Sequence, residues 1–249
     1  MSNWNQAIAS KGDQPGLEEF LNPRITPLTL DKAIQRRAIF RSLVADALPE
    51  FHGTVLDVGC GRMPYRRVVL TAPSRATRYI GADLRGNKYA KEHVDILWDG
   101  WRLPVPSDSV ECVMATEVLE HCPSPELLIG EVVRALKPGG FFYFTVPFLW
   151  PLHDVPNDEY RFTPFSLERY LKNAELVNIR LKALGGWDAS LGQMLGLWVR
   201  RRPMPAKVRR ILSVVVFPVV RYLARHEDTI GFGESQMISG LAGWAWKKL

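Results

Sequence analysis

The stretch Val55–Gly61, VLDVGCG, decides the fold. Val55, Leu56 and Val58 read as a strand buried on both faces, the pattern expected of a parallel sheet rather than a half-solvated hairpin. Gly59 and Gly61 then break the strand, because glycine alone turns a chain sharply and leaves its backbone amides open to a close approach. Downstream, β-branched and aromatic runs alternate with helical patterns: RRVVL, RYIGADL, SVECVMATE, PELLIGEVVRALKPGG and FFYFTVPF. Parallel neighbours need crossover connections, so this alternation predicts a doubly wound α/β sheet with helices on both faces. KPGG at 137–140 is read as the stop of the helix before the FFYFTVPF strand.

Upstream, residues 1–27 carry Pro15, Pro23 and Pro27 and predict an irregular leader, followed by a first helix over Leu30–Leu48 with Asp31 near its start. WPLHDVPNDEYRFTP, at 150–164, is polar, aromatic and proline-broken, which predicts a loop at the carboxyl edge of the sheet. SLERYLKNAEL reads as a helix, and NIRLKALGG and LAGWAWKKL as strands. The resulting division is a single domain over 1–249: leader and helix at 1–50, core at 51–186, an insertion at 187–234 and a final strand at 235–249.

Composition agrees with a globular enzyme-sized domain. The chain has 249 residues, 47% hydrophobic and 23% charged. Its net charge of +6 gathers in one late region, which argues for a local basic patch rather than a nucleic-acid-binding protein. Cys60, Cys112 and Cys122 form no C-x-x-C pair, so neither zinc nor redox chemistry is expected and a cytoplasmic setting is. The start shows no signal peptide, and Ile211–Val220 is too short and too broken by Pro218 to span a bilayer.

A glycine turn after a first strand is where nucleotides approach backbone amides. Three features narrow the ligand. Pro64 stands where a dinucleotide fingerprint needs its third glycine. Asp57, just before Gly59, suits a cationic amino group such as the methionine end of S-adenosylmethionine, and repels a pyrophosphate. Asp83 ends YIGADL, where a carboxylate can accept ribose hydroxyls, and Asp99 stands where it can accept from an adenine amino group.

VLDVGCG, YIGADL, DGWRLPVPSDSVECVMATEVLEH and RALKPGGFFYFTVP, in that order, resemble the class I S-adenosylmethionine-dependent methyltransferase family, most of all its branch with LP…DS and VLEH signatures. The likeness is dense over 54–148 and looser to Gly186. It implies a Rossmann-like sheet of seven strands, mostly parallel with the last antiparallel, and S-adenosyl-L-methionine as cofactor. It implies Asp57, Gly59, Cys60 and Gly61 against the methionine part, Asp83 on the ribose, Leu84 on adenine, Asp99 and Gly100 at the adenine edge, and Glu117 closing the pocket. Met63 and Glu111 depart from the family pattern, the second as surface detail.

His153 directly follows the strand that faces the transferable methyl in this layout, and two readings are open. It is either a general base for an acceptor hydroxyl or a brace that holds the loop through Asp154 or a carbonyl. His121, Asp154, Asp158, Tyr160 and Arg161 are either a polar, aromatic substrate mouth or, for Asp158 and Arg161, an internal ion pair; His121 also reads as a polar residue at a helix start. No metal is expected, since grouping His121, His153, Asp154 and Asp158 about an ion would need an arrangement the sequence does not reveal. The acceptor is expected to be a small molecule, a glycan or a lipid-linked group methylated at oxygen, with no nucleic acid involved; the rivals are a non-catalytic cofactor-binding scaffold and, more distantly, an NAD-dependent oxidoreductase. In the insertion, Arg200–Arg202, Lys207, Arg209 and Arg210 flank apolar residues and Trp198. Residues 198–223 therefore read either as a peripheral contact with the inner membrane face or as a lid helix packed on the sheet edge or a second subunit, with the oligomeric state open.

Overall fold

The computed structural model describes residues 17–86, 94–225 and 231–249. The first 16 residues of the expected leader and residues 226–230 of the insertion lie outside the described residues.

Strands β1 (His52–Val58), β2 (Arg75–Leu84), β3 (Ile96–Trp98), β4 (Val110–Thr116), β5 (Leu136–Pro147), β6 (Leu176–Leu184) and β7 (Gly240–Lys247) form one sheet in the order β3-β2-β1-β4-β5-β7-β6. The first five pair in parallel; β7 runs antiparallel between β5 and β6. This is the doubly wound, seven-stranded mixed sheet expected from the sequence. Strand order reverses between β1 and β4, so the crevice beyond their carboxyl ends is the natural ligand position.

Strand alternation sorts the core into two layers. Leu56, Val58, Val113, Phe142 and Phe144 face α4 (Pro125–Ala135) and α5 (Pro164–Asn173), packing with Leu128, Ile129, Val132, Leu167 and Leu171. Val55, Cys112, Met114, Phe141 and Tyr143 face the opposite side, against Ile39 and Leu43. That second layer is covered by α2 (Ala33–Ser42), which continues into a π turn at Leu43–Ala47, and by Val68 and Val69 of the short α3 (Arg66–Val69). The expected helix over 30–48 is thus shorter at its start, and Asp31 does not cap it; Asp31 Oδ2 instead accepts from Arg201 Nε at 2.7 Å. The described part of the leader also holds a short helix, α1 (Glu18–Leu21), where irregular chain was expected.

KPGG does not end the preceding helix. α4 stops at Ala135, because Leu136 is already extended and paired with Val110, so KPGG belongs to β5 with Gly139 at φ +75°. Glu111 is more than surface detail: its Oε2 accepts from Thr54 N at 2.7 Å, holding the bulge where β1 shifts register.

The insertion forms two helices, α6 (Trp187–Arg201) and α7 (Ala206–Leu223). α6 packs on the segment leading into α2 through glycines. A Cβ on Gly196 would stand 2.0 Å from the Leu30 carbonyl oxygen, and one on Gly192 would stand 3.0 Å from Ile34 Cδ1. Gln193 Nε2 donates to the Asp31 carbonyl at 2.7 Å, next to the Asp31–Arg201 ion pair. Through α6 the insertion therefore braces the N-terminal segment, and its Phe232 packs beside Ile179 and Leu181 of the edge strand β6. α7 lies on α6 and leaves Ile211, Val214, Val215, Val219 and Tyr222 exposed.

Candidate functional site

A cavity of about 410 Å³ opens beyond the carboxyl ends of β1 and β4, within the size range of small-molecule and cofactor sites. Asp57, Gly59, Cys60 and Gly61 form its floor, Thr116 and Glu117 one wall, and Trp150 and His153 another. Its roof comes from Glu19 and Phe20 of α1, Lys32 just before α2, Gln35 and Arg36 of α2, and Arg201 of α6. An ion-pair set of Glu19 with Lys32 and Arg36, and the Arg36 guanidinium 4.1 Å over the Phe20 ring, knit the roof together.

Asp57 is the residue whose surroundings are least self-sufficient. It is 1% exposed; Tyr79 donates to its Oδ2, while its Oδ1 is buried with no hydrogen-bond partner among the described residues. Burial is the main cause that lifts its carboxyl to about 7, with the nearby Asp83 adding to the rise and the Tyr79 bond opposing it. A buried orphan acceptor is costly unless a donor reaches it. Gly59 and Gly61 both have positive φ, +69° and +52°, which turns the chain immediately after this acid. Cys60 is buried, and that burial pushes its thiol well up, so it behaves as a small neutral hydrophobe.

Asp83 holds the turn from beneath. Its Oδ2 accepts from Gly61 N at 2.7 Å and its Oδ1 from Leu84 N at 2.6 Å. Leu84, Asp99 and Gly100 gather at the ends of β2 and β3, where a Cβ on Gly100 would meet Leu84 Cδ2 at 3.2 Å. Leu84 is exposed, and Asp99 Oδ1 accepts from Trp101 N and Arg102 N, bonds that hold its carboxyl below the usual range. These four residues make a shelf beside the cavity rather than part of its lining.

Glu117 sits at φ +56°, a conformation uncommon outside glycine, and both its oxygens are occupied. Gln35 Nε2 donates to Oε2 at 2.6 Å and Thr145 Oγ1 to Oε1 at 2.9 Å. Burial raises its carboxyl against the opposing Thr145 bond and the Arg161 charge.

His153 faces the cavity, and its ring Nδ1 lies 3.2 Å from Asp158 Oδ2. Asp158 is gripped bidentately by Arg161, at 2.7 and 2.8 Å, and the guanidinium holds its carboxyl down at about 2. A permanent carboxylate accepts from the Nδ1–H, which leaves His153 Nε2 as the basic nitrogen. Burial lowers the His153 imidazole, with Asp158 opposing and His121 adding to the fall.

The other expected mouth residues serve the loop and stay outside the cavity lining. Tyr160 donates to the Pro123 carbonyl at 3.1 Å and stacks on Phe162. Asp154 is exposed with φ +47°, and its carbonyl accepts from Asn157 N. His121 does not start a helix. It ends the 3-10 turn Leu119–His121, and its Nδ1 meets the Asn157 carbonyl at 2.8 Å. Its ring packs on that of His153, centroids 4.7 Å apart, and Glu120 lies with them. The tertiary structure thus supplies the grouping of histidines that the sequence did not reveal, with Glu120 in place of Asp154 and Asp158.

Sequence reasoning missed the roof. Gln35 and Arg36 sit in a helix read only for its apolar spacing, and the turn that brings α1 and α2 over β1 has no motif. Arg201 was noticed only as one charge in a basic run.

A family model described as "Methyltransferase domain" matches residues 56–144. A sterol 24-C-methyltransferase of Schizosaccharomyces pombe is 34% identical over 106 residues, covering 35% of this chain and 26% of that protein. A malonyl-[acyl-carrier protein] O-methyltransferase of Alcanivorax borkumensis is 24% identical over 231 residues, covering 88% and 72%. The chain spans only 26–33% of the length of the first sterol methyltransferases it matches. Among solved structures, an S-adenosylmethionine-dependent methyltransferase from Archaeoglobus fulgidus aligns with a TM-score of 0.53 at 15% identity, covering 92% and 97% of the two chains. The matched segment runs from β1 to β5, through the crevice where the sheet reverses, so residues 56–144 resemble a methyltransferase domain, on a fold shared with the Archaeoglobus structure.

Proposed function

We propose that the protein binds S-adenosylmethionine in the cavity over β1 and β4 and methylates an oxygen of a small-molecule, glycan or lipid-linked acceptor. The observation that carries this reading is Asp57 Oδ1, a buried acceptor without a donor among the described residues, at the floor of that cavity beside the Gly59–Gly61 turn. A cationic amino group is the donor that this acid fits, and Glu117 adds a second carboxylate. Asp83 and the shelf of Leu84, Asp99 and Gly100 offer a carboxylate and an apolar face for ribose and adenine. When bound, the cofactor would supply a sulfonium methyl that an aligned acceptor lone pair can attack, with S-adenosylhomocysteine leaving as the thioether. The residues' main tasks are therefore alignment and exclusion of water.

His153 is the group assigned to the acceptor proton. Its Nδ1–H is committed to Asp158, and its Nε2 is the side able to accept. The Alcanivorax relative, matched along most of the chain, is named as an O-methyltransferase, which favours oxygen as the acceptor atom. The non-catalytic scaffold is the rival reading. The decisive measurement is formation of S-adenosylhomocysteine with candidate acceptors, in chelator-treated buffer, by the wild-type and His153→Ala proteins. Turnover that falls by about 10²-fold or more and loses its dependence on pH near neutrality supports the base; unchanged kcat across pH removes it. Binding of S-adenosylmethionine without turnover on any acceptor favours the scaffold.

We also propose that α7 rests on anionic lipid. Val208, Ile211, Val215, Val219 and Tyr222 follow one another at helical spacing and are all exposed, with Lys207, Arg210 and Arg221 beside them. Among the described residues no helix is long and apolar enough to cross a membrane, and an in-plane helix needs only such a stripe.

A further inference from the structure

We propose that Glu120, His121 and His153 form a binding site for a single divalent transition-metal ion at the inner end of the 150–163 loop. One ligand atom from each lies within 4.8 Å of the others.

Each imidazole has its far nitrogen fixed by an acceptor. His121 Nδ1 meets the Asn157 carbonyl oxygen at 2.8 Å, and His153 Nδ1 meets Asp158 Oδ2 at 3.2 Å. Neither partner has a proton to give, since one is a carbonyl and the other a carboxylate paired with Arg161. Both Nδ1 atoms therefore carry the hydrogen, and both Nε2 atoms are bare in the neutral rings. An outer acceptor that sets tautomer and ring orientation is the arrangement usual for metal-binding histidines.

Glu120 supplies the independent observation. Its side chain is fully buried, and both Oε1 and Oε2 lack a hydrogen-bond partner among the described residues. Its Oε1 stands 3.7 Å from His121 Nε2. A carboxyl oxygen facing a bare ring nitrogen at that separation needs either a proton or a cation between them, and in the proposed site it is a cation. At ligand bonds of about 2.0–2.2 Å, this spacing is close to that of two donors sharing one ion.

Two imidazoles and one carboxylate suit Zn²⁺, Fe²⁺ or Co²⁺ better than Mg²⁺ or Ca²⁺, which prefer all-oxygen shells. Three protein ligands leave coordination positions free, and His153 also lines the cavity, so an oxygen donor placed there has access to them. The proposal shares only His153 with the methyl-transfer reading. A lone pair bound to a cation is unavailable to a proton, so the two uses of His153 Nε2 exclude each other and chelator decides between them.

The test is calorimetric titration of the chelator-stripped full chain with Zn²⁺, and with Co²⁺ followed by its visible absorption. Expected are one ion per chain and a Co²⁺ spectrum of mixed nitrogen and oxygen ligation. His121→Ala and His153→Ala, half-exposed and compatible with folding, should each weaken binding by at least about tenfold; Glu120→Gln should do the same. His52→Ala, an unrelated histidine on β1, should leave it unchanged. No uptake by protein whose circular dichroism is native overturns the site, because a proton then occupies the gap, and so does uptake that survives all three substitutions. Titration of the same samples with S-adenosylmethionine keeps the two ideas apart. Loss of metal uptake with cofactor binding intact removes this inference alone, whereas failure to bind cofactor removes the reading of the cavity.

Discussion

Asp57 shows how a single side chain links stability to binding. Its folded carboxyl titrates near 7 against an ordinary value of 3.8, with burial as the main cause. Between those two values the folded state holds a proton that the unfolded chain has lost, so this group's contribution to stability falls as pH rises from about 4 to 7 and is level above. Asp57→Asn should therefore flatten the decline of Tm between pH 5 and 7, measured by calorimetry. The same substitution should weaken S-adenosylmethionine binding by about 1.5–3 kcal/mol, the worth of a hydrogen bond to a charged group. In the wild type, affinity should rise from pH 6 towards pH 7.5 as Asp57 ionises, then fall as the ligand's amino group loses its proton above about 8. Affinity flat over that range would mean that Asp57 does not meet a charged donor. The place of this residue at the cavity floor was legible because a carboxylate between a buried strand and a glycine turn has few structural explanations. Glu120 was not legible: in VLEH it is one more acid after a strand, and only its complete burial with no hydrogen-bond partner among the described residues marks it.

At the scale of elements, α6 reaches the cavity while lining it only through Arg201. α6 reaches the roof through Gly192 and Gly196, which let its backbone touch the Leu30–Ile34 segment, and through Gln193 and Arg201 on Asp31. Gly196→Ala gains helix propensity in isolation. In place, its Cβ would stand 2.0 Å from a backbone oxygen, which cannot swing aside. The expected result is a net loss of about 1–3 kcal/mol in denaturant unfolding, together with weaker cofactor binding as α2 shifts over Glu117. A stabilised protein would show that the segment yields more easily than its contacts imply. The same elements show where periodicity misleads. PELLIGEVVRALKPGG scans as a helix to its glycines, yet Leu136 leaves it early because pairing with Val110 outweighs one more helical turn. In GQMLGLWVRR the sequence draws notice to the arginines and Trp198 and not to Gly192 and Gly196, since a glycine's contact surface belongs to its neighbour.

For the whole molecule, the basic excess and the exposed apolar stripe coincide on α7, away from the crevice where the sheet reverses. If lipid covers that stripe, the protein should co-sediment with vesicles containing phosphatidylglycerol, less so as salt screens the arginines and lysines. Ile211→Asp with Val215→Asp should abolish sedimentation while leaving S-adenosylmethionine affinity unchanged. Concentration-dependent dimerisation lost in that variant, without vesicle binding, would assign the stripe to a second copy instead. By itself the sequence determined the doubly wound sheet, the place of the crevice and the acid at its floor, because strand burial, crossover spacing and glycine turns are local properties written in consecutive residues. Only the tertiary structure decided the roof over the crevice, the bracing of that roof by α6 and the meeting of His121 with His153 beside Glu120. Those depend on packing between segments far apart in the chain, where the energy lies in complementary surfaces and neither partner carries a mark of the other.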